Sequence, residues 1–138
     1  MQPIFLDTSF AIALAVSDDA HHTQALEIRE KLKREQGRLV TTSAIVLEIG
    51  DGLSRLRYRK LAFSILDFVQ DDPSLQIVHL SNTLLESAIK LYRQRSDKEW
   101  GLTDCVSFVV MRERGITDAL TADEHFQQAG FRALLREK

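Results

Sequence analysis

Four carboxylates in this chain sit where an apolar stretch meets a turn or lies within a helix: Asp7 in IFLDTSF, Glu48 in AIVLEIG, Asp104 in GLTDCVSF and Asp123 in ALTADEHF. A carboxylate held against a core must be paired, protonated or bound to a cation, because stripping its water is unfavourable or raises its pKa. None of the four has an obvious local basic partner. His21, His22, His79 and His125 lack ligand spacing with the acids and read as solvated or locally bonded side chains, so the expected donor set is all oxygen. Hard oxygen donors without His or Cys companions select Mg²⁺ or Mn²⁺ over zinc. Such an ion makes a bound water easier to deprotonate and neutralises charge on a phosphoryl oxygen, and a second ion could stabilise the leaving oxygen. The reaction this suits is phosphodiester hydrolysis.

Taken singly, each acid has a plainer role. An Asp after a strand commonly caps a helix or forms a turn, and Asp104 at a helix N-terminus complements the helix dipole. Glu48 is harder to place in that way, being the only charge among Ala44, Ile45, Val46, Leu47 and Ile49. The set of four, in strand and helix order, is what points to a metal site. Thr8 and Thr103 are the hydroxyls placed to orient carboxylates or a water, with Thr121 behind them. Cys105 reads as core and Trp100 as a packed loop anchor. Arg55, Arg57, Arg59 and Lys60 surround Tyr58, which makes either an RNA-contacting patch with a stacking aromatic or a solvated link between helices.

The elements that must position these acids alternate between short apolar runs and helical patterns. Residues 3–6 read as a buried strand ending at Asp7. Ser9 is placed to cap a short helix through Val16, and 21–36 is a charge-rich helix ended by Gly37, with Glu27 to Lys31 and Glu30 to Arg34 in the supporting order. Residues 38–41 form a second strand, and Thr42 or Ser43 caps the helix that carries Glu48. Gly50 and Gly52 weaken that helix and predict a break or close packing. A helix over 61–69 stops at DDP, and 75–79 is a third strand. Over 82–95, Leu84, Leu85, Ala88, Leu91 and Tyr92 recur at helical spacing. Thr103 is expected to cap a helix whose CVSFVVM segment is apolar nearly all round, hence central. Residues 118–122 form a fourth strand, a short helix follows from Glu124, and 131–135 is a fifth strand or a terminal helical turn. Strands separated by helices imply an α/β fold with a central parallel β-sheet of four to five strands flanked by helices, whose rim would gather Asp7 and Asp123.

A length of 138 residues fits one domain, 1–138, with one sizeable core. The single cysteine excludes an internal disulfide and a cysteine-rich zinc site and is compatible with a reducing cytosol. A net charge of −2 argues against a chain-wide grip on nucleic acid and leaves local basic clusters free to meet phosphate. The N-terminus lacks a basic stretch followed by a long apolar run, and no segment reaches membrane-spanning length, so a cytoplasmic protein without membrane contact is expected.

FLDTS, the helix with VLEIGDGL, DKEWGLTDCVSF and ALTADEHFQQAGF together resemble the PIN-domain ribonucleases, in particular the VapC-like toxins of toxin–antitoxin pairs. The resemblance covers essentially the whole chain; FLDTS alone is weakly specific, whereas TDC followed by TADEHF and its GF ending is strongly so. It implies Mg²⁺- or Mn²⁺-dependent endoribonuclease activity on an RNA substrate, a homodimer, and inhibition by a small antitoxin. By the same resemblance Asp7, Glu48 and Asp104 are the three central acids, Asp123 the fourth, and Asp97 an outer candidate. A free-standing PIN nuclease in RNA processing, or a PIN-like module that only binds protein or RNA, would share the fold, and RNA cleavage separates the last of these. A receiver-type phosphorylation domain would need an Asp where the third strand ends at His79, and a haloacid dehalogenase-type phosphatase a second Asp where Ser9 stands.

Overall fold

Five short runs form the strands: β1 (Ile4–Leu6), β2 (Leu39–Thr42), β3 (Leu75–Val78), β4 (Asp118–Leu120) and β5 (Arg132–Ala133). In the computed structural model, which describes residues 2–137, every pairing is parallel and the order across the sheet is β3-β2-β1-β4-β5. The connecting helices are α1 (Thr8–Ala15), α2 (His22–Arg34), α3 (Ser43–Gly52), α4 (Arg59–Asp71), α5 (Asn82–Gln94), α6 (Leu102–Arg114) and α7 (Glu124–Gln128), with 3₁₀ turns at Leu56–Tyr58 and Leu134–Arg136.

The chain leaves β1 towards β2 on one side and returns at β4 on the other, in register Phe5 to Ala119 and Leu6 to Leu120. This reversal puts a crevice beyond the carboxyl ends of β1 and β4, the place where open parallel sheets bind ligands. Asp7 leaves β1 into it, with its N–H on the Leu120 carbonyl at 3.2 Å. Phe5, Phe10, Phe108 and Phe126 are fully buried. Phe108 meets Trp100 and Phe126 edge-on, each at 5.0 Å, which fixes α6, bearing Asp104, against α7, which follows Asp123.

Several local expectations shift. α2 stops at Arg34, and Gln36 rather than Gly37 takes the left-handed conformation at φ 53°; the Gly37 N–H returns to the Leu32 carbonyl at 2.9 Å and closes the helix end. α3 ends at Gly52, where a Cβ would lie 2.9 Å from Ile12 Cδ1, so close packing on α1 accounts for that glycine. α4 starts at Arg59, two residues before the expected start, and takes in Lys60. The terminal segment is strand first and helical turn second, with both readings realised in succession.

Candidate active site

The four acids arrive from four elements. Asp7 occupies the position before α1 in extended conformation, yet its carboxylate makes no capping bond and meets only the adjacent Thr8 N–H. Its Oδ2 instead accepts from Thr121 Oγ1 at 2.7 Å and from Ser9 Oγ at 3.1 Å. Ser9 is therefore not the cap of α1. It lies in the first turn, and its hydroxyl also accepts the Ala122 N–H at 2.9 Å, joining α1 to the chain beyond β4. Only 6 % of Asp7 is exposed. Burial pushes its pKa up to about 6, against the bonds from Thr121, the Thr8 N–H and Ser9, and the Asp104 charge adds to the rise.

Thr42 caps α3, its Oγ1 accepting the Ile45 N–H at 3.2 Å, which sets Glu48 in the second turn. There Glu48 Oε1 accepts from Thr8 Oγ1 at 2.8 Å, so Thr8 orients a carboxylate as expected. Burial raises the Glu48 pKa; the Thr8 bond opposes this, while the charges of Asp104, Asp123 and Asp51 reinforce it.

Asp104 corrects a second capping assignment. The cap of α6 is Gly101, not Thr103, and Asp104 sits in the first turn with Oδ2 accepting the Gly101 N–H at 3.0 Å. Thr103 uses its carbonyl to accept Ser107 Oγ and is not among the residues lining the acidic cleft. Thr121, beside Thr8 and Ser9, is the hydroxyl that serves the acids in its place. Burial lifts the Asp104 pKa, with bonds from Gly101 and His125 pulling the other way and the Asp123 charge adding to the rise.

Asp123 caps α7, Oδ1 accepting the His125 N–H at 2.8 Å. The same turn brings His125 Nδ1 to 3.1 Å from Asp104 Oδ2 and 3.4 Å from Asp123 Oδ1. His125 is thus locally bonded, as the sequence suggested, but it also reaches an acid 21 residues away, so the cluster is not all oxygen. A cap Asp two residues before a His in ADEHF was the readable signal for half of this contact. The half involving Asp104 depends on how α6 and α7 pack.

All four acids, with Asp51, Thr8, Ser9 and His125, line one cleft of about 560 Å³. Among its described lining residues there is no Lys or Arg. Desolvated carboxylates that raise one another's pKa, with a single imidazole between two of them, form a donor set that fits a divalent cation. A hollow of similar volume, about 580 Å³, opens at the opposite strand ends beside Ile4, Asp118 and Arg132, where Arg132 is already paired with Asp118 and Glu137. It holds none of the four acids.

Asp97 is not brought to the cleft. It forms an exposed bidentate pair with Arg95, which lowers its pKa. The basic segment divides: Arg59 binds the Ser54 carbonyl through Nε and Nη2, and Arg57 stacks on Tyr58 at 4.7 Å. Arg55 and Lys60 remain exposed on the stretch that follows α3.

A doubly wound parallel sheet with acids gathered at the reversal of strand order, together with a match to the PIN domain model over residues 4–132, shows that the chain belongs to the PIN-domain family. Within it, the chain is 31% identical over 128 residues to the 23S rRNA-specific endonuclease VapC20 of Mycobacterium tuberculosis, in two strains, covering 93% of this chain and 95% of that protein. The crystal structure of that organism's VapC20, described as a Sarcin-Ricin loop cleaving toxin, superposes with a TM-score of 0.81 at 28% identity over 93% of this chain and 95% of that one. VapBC2 from Rickettsia felis, solved bound to a DNA fragment from its promoter, superposes at 0.67 over 96% and 97% of the two chains; at 16% identity it shares the fold alone. No helix of the described residues is long and apolar enough to cross a membrane.

Proposed function

We propose that this chain is a cytoplasmic, metal-dependent endoribonuclease of the toxin class, folded as one PIN domain and acting on structured RNA of the kind cut by VapC20. The observation that carries the reading is the convergence of Asp7, Glu48, Asp104 and Asp123 on one cleft whose described lining holds no Lys or Arg. The activity of the relative, over nearly the full length of both chains, supports the substrate class.

The chain's own residues do three things. Thr121 and Ser9 fix Asp7, Thr8 fixes Glu48, and the Gly101 N–H with His125 fixes Asp104, so the carboxylates are held in place before substrate arrives. Asp123, tied down as the cap of α7, faces the same cleft. A divalent ion, Mg²⁺ or Mn²⁺, would supply charge neutralisation for the phosphoryl group and activation of a water. The openness of the cleft to solvent beside Asp51 and Gly52 leaves room for a backbone phosphate, and the exposed cations of 55–60 stand three residues further along the chain.

We also assign a protein partner and a second copy of this chain to the apolar surface of α3, α4 and the turn between them. Leu56 is 91% exposed, Leu47 69% and Phe63 56%, more large apolar surface than one short segment normally leaves in water. A partner that lays an apolar helix there and a cation against the acids would silence the enzyme, as expected of an antitoxin. Incubating the purified protein with an RNA hairpin of the sarcin–ricin sequence in Mg²⁺ and mapping the ends tests the activity. A single cut in the loop is expected. An intact hairpin, together with intact total rRNA, would move the chain to the non-catalytic class.

A further inference from the structure

We propose that His125 is itself a ligand of the divalent ion, its Nδ1 joining one oxygen each of Asp104 and Asp123 in a mixed nitrogen and oxygen set that shifts the preference of the site towards Mn²⁺. The three donor atoms lie within 4.8 Å of one another, and this is the one such group among the described residues. Neighbouring ligands on an octahedral ion with bonds of about 2.1 Å stand about 3 Å apart. The separations of 3.1 Å and 3.4 Å from Nδ1 to the two carboxylates match that edge, so an ion can enter without displacing the ring. The imidazole proton then resides on Nε2, leaving the Nδ1 lone pair to the ion.

The position of the ring is built in rather than incidental. Its backbone N–H is held by the Asp123 carboxylate, and the next residue, Phe126, is fully buried against Phe5 and Phe108. Carboxylate and water suit Mg²⁺ and Mn²⁺ alike, so the imidazole is the donor that separates them: Mn²⁺, the less hard ion, accepts a nitrogen more readily than Mg²⁺ does. Asp7 and Glu48 line the same cleft but lie outside this group of three donors.

This inference rests on the reading of the cleft as a divalent-ion site, and its test is spectroscopic. Pulsed electron paramagnetic resonance of the Mn²⁺-loaded wild-type protein should show ¹⁴N modulation from a directly bound imidazole. His125→Gln should abolish it and weaken Mn²⁺ about tenfold or more, with a smaller effect on Mg²⁺ measured by competition. Mn²⁺ that binds to the wild type without nitrogen coupling overturns the ligand assignment and leaves the nuclease reading standing. A wild-type protein that binds no Mn²⁺ overturns both. The wild-type spectrum decides the matter even if the variant folds poorly.

Discussion

Asp7→Asn should destroy activity and stabilise the metal-free protein at neutral pH. The Asp7 carboxyl is 6 % exposed and its pKa is raised from 3.8 to about 6, chiefly by burial. At about 1.4 kcal/mol for each tenfold change in proton affinity, ionising it in the folded protein costs roughly 3 kcal/mol. Because the folded pKa lies above the unfolded one, stability is fully present below about pH 4 and is lost as pH rises through about 6. An amide carries no such penalty, although it must find an acceptor for its NH₂ beside Ser9 and Thr121, so the net gain above pH 7 should be about 1–3 kcal/mol. With a urea dependence of about 2 kcal/mol/M, the unfolding midpoint in EDTA should rise by about 0.5–1.5 M near neutrality and stay nearly unchanged at about pH 4. Saturating Mg²⁺ should narrow the difference, since only the wild type binds the ion tightly. A variant less stable than wild type in EDTA at neutral pH would refute the reasoning and make the carboxylate a structural hydrogen-bond acceptor.

Thr121→Val removes the 2.7 Å bond to Asp7 and should weaken Mn²⁺ binding 10- to 100-fold by calorimetry, whereas Thr103→Val should leave it within about twofold. Arg55→Ala with Lys60→Ala should make the salt dependence of RNA affinity shallower by about 1.4 in log–log slope if both contact phosphate; an unchanged slope removes the segment from the binding track. Phe126→Ala, which empties a fully buried site between Phe5 and Phe108, should cost about 3–5 kcal/mol in urea melts and is the control for a purely structural loss of activity.

The acids were legible because each stands where an apolar stretch meets a turn or lies within a helix, and a local pattern of that kind survives whatever the chain does elsewhere. The parallel sheet was legible because strand-like and helix-like periods alternate. Of the partners of the acids only Thr8, on Glu48, was. Thr121 meets Ser9 and Asp7 only because β1 and β4 pair side by side, 112 and 114 residues apart in sequence, and no local pattern encodes that pairing. A Thr before an apolar run is a common cap, which favours Thr103 over Thr121 on local pattern, whereas the helix starts two residues earlier on Gly101, which leaves Asp104 to bond back to it. Ligand spacing counts along the chain and does not reveal His125, whose contact with Asp104 is made between two packed helices. Gln36, rather than the glycine beside it, took the left-handed position because the chain needs one more residue before Gly37 can return its N–H to Leu32.

The most direct measurement is RNA cleavage by wild type and Asp104→Asn, side by side in Mg²⁺, in Mn²⁺ and in EDTA, with both proteins shown to be folded. Asp104 joins the Gly101 N–H, His125 and the acidic cleft, so it has no substitute there. Cleavage by wild type with either ion, none in EDTA, and a loss of about a hundredfold or more in the variant is the predicted result. Cleavage by Asp104→Asn at the wild-type rate, or by wild type in EDTA, would contradict a metal-dependent nuclease site built on these four acids.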